Sequence, residues 1–93
     1  MIAWWWWACA PPPACDAMCA LATERWGECL DAWSTSWEAL GFRGPADHAA
    51  WCRTWVWEQE QLEADGAPAA EEVCAERAAA LAGSCDELST LAW

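Results

Sequence analysis

The sequence contains no lysine, no asparagine and no tyrosine, and it has only one phenylalanine in 93 residues. Four arginines oppose 15 acidic residues, which gives a formal net charge of −11. Nucleic-acid binding depends on cationic contacts with phosphate, and anionic lipid surfaces repel an acidic protein. The composition therefore argues against both nucleic acid and anionic lipid as partners.

Several sequence signals are also missing. No apolar run approaches the ~20 residues that a transmembrane helix needs, so we expect no membrane span. The first residues lack the basic start of a secretory signal, and the sequence indicates no compartment. It has no Ser/His/Asp set, no phosphate-binding glycine loop and no dinucleotide fingerprint, so we do not expect an enzyme.

Apolar residues recur at helical spacing in three segments, and the acidic residues fall off the stripes that they form. The stripe of the first segment contains Cys15, Cys19, Ala22, Trp26, Cys29 and Trp33. The stripe of the third contains Cys74, Ala78, Leu81, Cys85, Leu88 and Ala92. The second groups His48, Trp51, Cys52, Trp55, Gln59 and Leu62. Short connections make successive helices antiparallel. We therefore predict an all-α fold, a three-helix up-down-up bundle with a Trp-rich N-terminal arm.

Prolines and glycines set the predicted boundaries. Three consecutive prolines end at residue 13 and cannot continue a helix, which separates an N-terminal arm, residues 1–13, from a bundle domain, residues 14–93. Gly41 fits the left-handed position just past a helix end, where Phe42 would pack against Trp37. Pro45 and Pro68 mark the next two starts, so the predicted helices cover residues 14–40, 46–63 and 68–91.

Seven cysteines are the first candidates for a functional or stabilising role. A chain of this length buries a modest core, and disulfides between facing helices would reinforce it. In an up-down-up bundle we expect Cys29 and Cys74 to lie at similar heights, and this pair is the first disulfide candidate. Seven is an odd number, so at least one thiol stays free or pairs between chains. Disulfides would favour an oxidising compartment.

The spacing of two cysteine pairs resembles a known family. Cys19-x9-Cys29 and Cys74-x10-Cys85 are similar to the twin Cys-x9-Cys helical-hairpin proteins of the mitochondrial intermembrane space. The stretch CALATERWGECLD resembles the first helix of their cytochrome-oxidase-associated members. The resemblance implies disulfides Cys19–Cys85 and Cys29–Cys74, and a role as a subunit or assembly factor. A whole additional helix lies between the two pairs in this chain.

A soft-metal site is the alternative interpretation of the cysteines. Cys15 and Cys19 are four residues apart, as are His48 and Cys52, so each pair lies on one helical face. Thiolates with a thioether suit Cu(I), and cysteine with histidine suits zinc. The pattern is distantly similar to cysteine-rich four-helix copper-storage bundles. The candidate ligands for copper are Cys15, Cys19, Met18, His48 and Cys52.

Eleven tryptophans exceed what a core of this size readily absorbs. The side chains of Trp4, Trp5, Trp6 and Trp7 cannot all face one side of a regular structure. Trp57 lies opposite the apolar stripe of its helix. We expect these exposed tryptophans to be covered by another protein subunit, a second copy of the chain, a membrane interface or the chain's own bundle. We therefore expect a non-catalytic structural subunit, stapled by one to three disulfides, whose partner-binding residues are Trp4, Trp5, Trp6, Trp7 and Trp57.

Overall fold

The computed structural model describes residues 13–91, and within them the chain forms helices and turns without a strand. The all-α class is therefore confirmed. The helices are α1 (Pro13–Cys29), α2 (Pro45–Ala64), α3 (Ala70–Ala80) and α4 (Cys85–Ser89). Pro13 is the first residue of α1, a position that proline favours because the first helical N–H has no intrahelical acceptor.

Helices α1 and α2 run in opposite directions. A disulfide joins Cys19 to Cys52 with a Cα–Cα distance of 5.6 Å. The hydroxyl of Thr23 lies 2.8 Å from Nδ1 of His48. A later residue of α1 thus pairs with an earlier residue of α2, which is the antiparallel order that the short connection predicts.

Helices α1 and α3 run in the same direction. Cys15 near the start of α1 is bonded to Cys74 of α3, and Cys29 at the end of α1 is bonded to Cys85 at the start of α4. Helix α1 packs against both α2 and α3, and α2 also contacts α3. The predicted three-helix up-down-up bundle is therefore confirmed.

The first helix is shorter than the predicted range 14–40. Helix α1 ends at Cys29, and helical turns continue to Ser34, whose φ of 51° is left-handed. The Ser34 N–H donates to the Asp31 carbonyl and the Thr35 N–H to the Leu30 carbonyl, both at 3.0 Å. These two bonds form the Schellman pattern that closes a helix. The hydroxyl of Ser36 then accepts from the Ala39 N–H at 3.2 Å, at the start of a separate helical turn.

The predicted left-handed conformation of Gly41 is confirmed, although the helix predicted to end there already ends at Cys29. After one further helical turn Gly41 has a φ of 97°, and its N–H donates to the Glu38 carbonyl at 3.1 Å. The Phe42 N–H donates to the Trp37 carbonyl at 2.8 Å. The rings of Trp37 and Phe42 are 6.2 Å apart, in the contact that the sequence predicts.

The second helix matches its predicted range within one residue at each end, whereas the third, predicted over residues 68–91, is broken. The break lies between Ala80 and Cys85, where Ser84 caps α4. The hydroxyl of Ser84 accepts from the Glu87 N–H at 3.2 Å, and the Glu87 carboxylate accepts from the Ser84 N–H. This capping box favours a new helix start over continuation of α3.

The core lies between α1 and its neighbours, and most of its residues belong to the predicted stripes. Its small members, alanines and cysteines, let the helices approach closely. The buried apolar residues are Cys15, Met18, Cys19, Ala22, Cys29, Cys52, Trp55, Val56, Ala70, Cys74, Leu81 and Leu88.

Candidate interaction surface

All six cysteines between residues 13 and 91 form disulfides, so the expected disulfide-stapled core is confirmed. The four disulfide candidates Cys19, Cys29, Cys74 and Cys85 are each bonded. The surrounding protein excludes water from most of these sulfurs, since only Cys85 is partly exposed.

The expected pairing is wrong. Cys29 is bonded to Cys85 rather than to Cys74, and Cys19 is bonded to Cys52 rather than to Cys85. The physical reason is the parallel direction of α1 and α3. In parallel helices the first turns lie side by side, and so do the last turns. The pairs implied by the twin Cys-x9-Cys resemblance belong to an antiparallel hairpin.

The same bonds remove thiolates from the proposed copper ligands. Cys15, Cys19 and Cys52 are all oxidised, and only a thiolate is a good ligand for a soft metal. Met18 is fully buried in the core. Within residues 13–91 no group of three His, Cys, Asp or Glu side chains is placed to hold a metal ion. These observations favour the disulfide interpretation over the metal interpretation.

His48 is buried among aromatic rings instead of lying at an open site. It is 1% exposed, and its Nδ1 lies 2.8 Å from the hydroxyl of Thr23 on α1. Burial lowers the pKa of His48, because the surrounding rings cannot replace the hydration of an imidazolium. Four rings lie with centroids 5.0–5.6 Å from the imidazole, and they belong to Trp26, Trp37, Phe42 and Trp51. The histidine thus joins α1, α2 and the turn between them.

Among residues 13–91, Trp57 on α2 is the most exposed aromatic residue. The side chain is 60% exposed, whereas its neighbour Val56 is buried. Trp57 borders a groove of about 260 Å³ between α1 and α2. The groove is lined by Cys15, Asp16, Cys19, Arg53, Val56, Trp57 and Glu60. An apolar floor with both charge signs at its rim suits a protein segment better than a polar metabolite.

Other exposed apolar residues lie apart from this groove. Leu62 on α2 is 50% exposed, and it lies five residues beyond Trp57, about 140° further around the helix. Trp51 and Leu40 are each 37% exposed. Trp51 belongs to the ring cluster around His48, so it has a structural neighbour on its inner side. None of the helices in residues 13–91 is long and apolar enough to cross a membrane.

The partner-binding role of the five selected tryptophans stays a prediction. Trp57 is exposed as the sequence predicts, whereas Trp4, Trp5, Trp6 and Trp7 lie outside the described residues. The sequence reasoning did not select Arg53 or Glu60 as groove residues. Their spacing from Trp57, four residues before and three after, places all three on one flank of α2 and was the signal available.

No protein-family profile matches the chain, and no curated protein or solved structure is significantly similar to it. The resemblance to twin Cys-x9-Cys proteins therefore receives no support from these comparisons.

Proposed function

We propose that this chain is a non-catalytic structural subunit that binds another protein through an aromatic surface formed by Trp57 and the N-terminal arm. The observation that carries the proposal is the exposure of Trp57 on a scaffold locked by disulfides. A tryptophan side chain contributes roughly 150–250 Å² of contact area when it is covered. Tryptophan is also among the residues most enriched at the energetic centres of protein interfaces.

The scaffold supports this role because it holds Trp57 in a fixed position. The disulfide from Cys19 to Cys52 anchors α2 to α1 five residues before Trp57. A preorganised surface loses little conformational entropy on binding, so more of the contact energy appears as affinity. Trp57 therefore has the properties of an anchor residue for a partner.

Charge limits the class of partner. The net charge of −11 opposes phosphate-bearing partners. The groove itself has Arg53 at its rim beside two carboxylates, Asp16 and Glu60. An apolar partner surface with at least one basic group would complement the exposed edge of Trp57 and the net negative charge of the chain.

Purification of a tagged chain from its own cells, followed by native mass spectrometry, tests the proposal. We expect a partner protein at a fixed ratio with the wild-type chain. The ratio should fall severalfold in Trp57→Gln, because an exposed anchor is lost while the core is unchanged. Leu62→Gln is the matched control, since it removes an exposed apolar residue from the opposite flank of the same helix.

Two results would count against the proposal. A wild-type chain that purifies alone as a monomer has no partner of the proposed kind. Equal loss of the partner in Trp57→Gln and Leu62→Gln would show that the interaction is not centred on Trp57. Circular dichroism and an unchanged disulfide content establish that both variants fold.

A further inference from the structure

The groove between α1 and α2 opens next to the point where the N-terminal arm joins the bundle. Cys15 and Asp16 line the groove, and they follow residues 1–12 by only three and four positions. The arm thus enters the described part of the molecule at the groove itself. No long connection is needed to bring the two together.

Trp57 lies at the same end of the groove. Cys52 is level with Cys19 because the two are bonded, and Trp57 is five residues further along α2, about 7.5 Å. Since α2 is antiparallel to α1, this step leads toward the start of α1. Trp57 therefore stands beside the first turn of α1, where the arm arrives.

The arm is long enough to cover the groove. Along α2 the lining extends from Arg53 to Glu60, about 10 Å. Three peptide units lead from Pro13 to residue 10, about 10 Å, and the four units from residue 8 to residue 4 can return about 13 Å. A chain that turns back at residues 8–10 can therefore bring Trp4 to Trp7 to the first turn of α1, where Trp57 lies.

The two surfaces are chemically complementary. Residues 1–12 include four consecutive tryptophans and no charged side chain. In the groove, Val56 and Trp57 offer apolar area, and the carboxylates of Asp16 and Glu60 can accept from indole N–H groups. The guanidinium of Arg53 suits the face of an indole ring.

We propose that residues 1–12 fold back onto the bundle and seat part of the run Trp4 to Trp7 in the α1/α2 groove against Trp57. Four consecutive side chains cannot all face the groove. The outward members, together with the free edge of Trp57, then form the surface offered to a partner, and this half of the proposal rests on the proposed function.

The occupant is the chain's own arm rather than that of a second copy. A short tether holds the arm at an effective concentration in the millimolar range, far above the concentration of other molecules in a dilute sample. Self-docking also covers an apolar run that would otherwise promote association. The arrangement therefore predicts a monomer whose arm is ordered.

Cys9 makes the proposal testable, because three internal disulfides occupy the other six cysteines and leave one site for a nitroxide label. We expect the label to broaden the amide signals of residues 53–60 severalfold. Signals of α4, tied to the far end of α1, should change little. The effect should persist on dilution.

The matched variants are again Trp57→Gln and Leu62→Gln, both on exposed side chains of α2. Trp57→Gln should abolish most of the broadening at residues 53–60, and Leu62→Gln should leave it intact. In a mixed sample, one chain carries the nitroxide and no ¹⁵N, and the other carries ¹⁵N and no nitroxide. This sample should show no broadening, since the contact is within one chain.

Absence of local broadening in the labelled wild-type chain overturns the proposal. Equal broadening of residues 53–60 in the wild type and in Trp57→Gln also overturns it, because Cys9 is only four residues before Pro13 and its label stays near Trp57 without docking. Broadening that appears only in the mixed sample also overturns it and identifies a second copy as the occupant. The measurement uses the isolated chain, whereas the proposed function is tested by co-purification of a partner. If the label shows that the arm docks but no partner co-purifies, the docking proposal stands and only the proposed function is refuted.

Discussion

At the scale of single residues, the cysteine count gives the first prediction. Seven cysteines and three internal disulfides leave Cys9 outside the disulfide set. The denatured, unreduced chain should therefore take up one alkylating group, and the fully reduced chain seven. Intact mass spectrometry measures both numbers. A second reactive thiol before reduction would contradict the three disulfides. A covalent dimer that has no reactive thiol before reduction would place a disulfide between the Cys9 residues of two chains.

His48 gives a prediction about pH. Burial holds the pKa of His48 below the usual value of about 6.5, so between the two pKa values the imidazole is protonated in the unfolded chain and neutral in the folded chain. The free energy of unfolding should therefore fall as the pH drops below about 6.5, and the loss should level off below the folded-state pKa. His48 is the only histidine, which isolates its effect from that of other imidazoles.

Urea unfolding at pH 7 and pH 5.5 measures this dependence. In His48→Gln the imidazole no longer titrates, so stability should change less between the two pH values. Thr23→Val is a useful control, because it removes the hydroxyl partner and keeps the histidine. An equal pH dependence in the wild type and in His48→Gln would contradict a buried, neutral imidazole.

At the scale of secondary structure, the cap of α4 gives a prediction of modest size. Ser84→Ala removes the hydroxyl that accepts from the Glu87 N–H. Loss of an N-cap costs about 1 kcal/mol of stability. Chemical denaturation should show this loss, and Ser89→Ala, at the exposed end of the same helix, should cost less. Equal effects would indicate that the capping box is not the main contribution of Ser84.

Helix positions followed well from the sequence, and their interruptions did not. The stripe of the first segment continues through Trp33, which is half-buried and donates from Nε1 to the Cys85 carbonyl at 3.0 Å. Periodicity therefore stayed correct past the end of α1 at Cys29, as far as the left-handed Ser34. The break before α4 was recognisable, because Ser84 and Glu87 have the spacing of a capping box.

The disulfide pairing could also have been derived more fully. The up-down-up order already makes the first and third helices parallel, and this order excludes Cys29–Cys74 in favour of start-to-start pairs. What the sequence could not reveal is the partner of Cys52 on α2, because the rotation of α2 against α1 depends on packing. The groove beside Trp57 depends on the same rotation, so its lining was also beyond reach.

At the scale of the whole molecule, stability depends on the three disulfides. The bond between Cys15 and Cys74 closes a sequence separation of 59 residues, for which restricting the unfolded chain contributes about 4 kcal/mol. We expect the Cys15→Ser/Cys74→Ser variant to lose roughly 2–5 kcal/mol of stability. Thermal unfolding followed by circular dichroism measures the loss. A variant with an unchanged midpoint would show that the helices hold together without this bond.

Each of the three disulfides has one cysteine in α1 and the other in a different helix. The covalent framework is therefore a star centred on α1, in addition to the linear backbone. Cuts in the connections after α1, α2 and α3 would leave every fragment bound to α1 through sulfur. The peptide links between the helices are thus not needed to keep the molecule in one piece, and a nicked chain would stay intact until it is reduced.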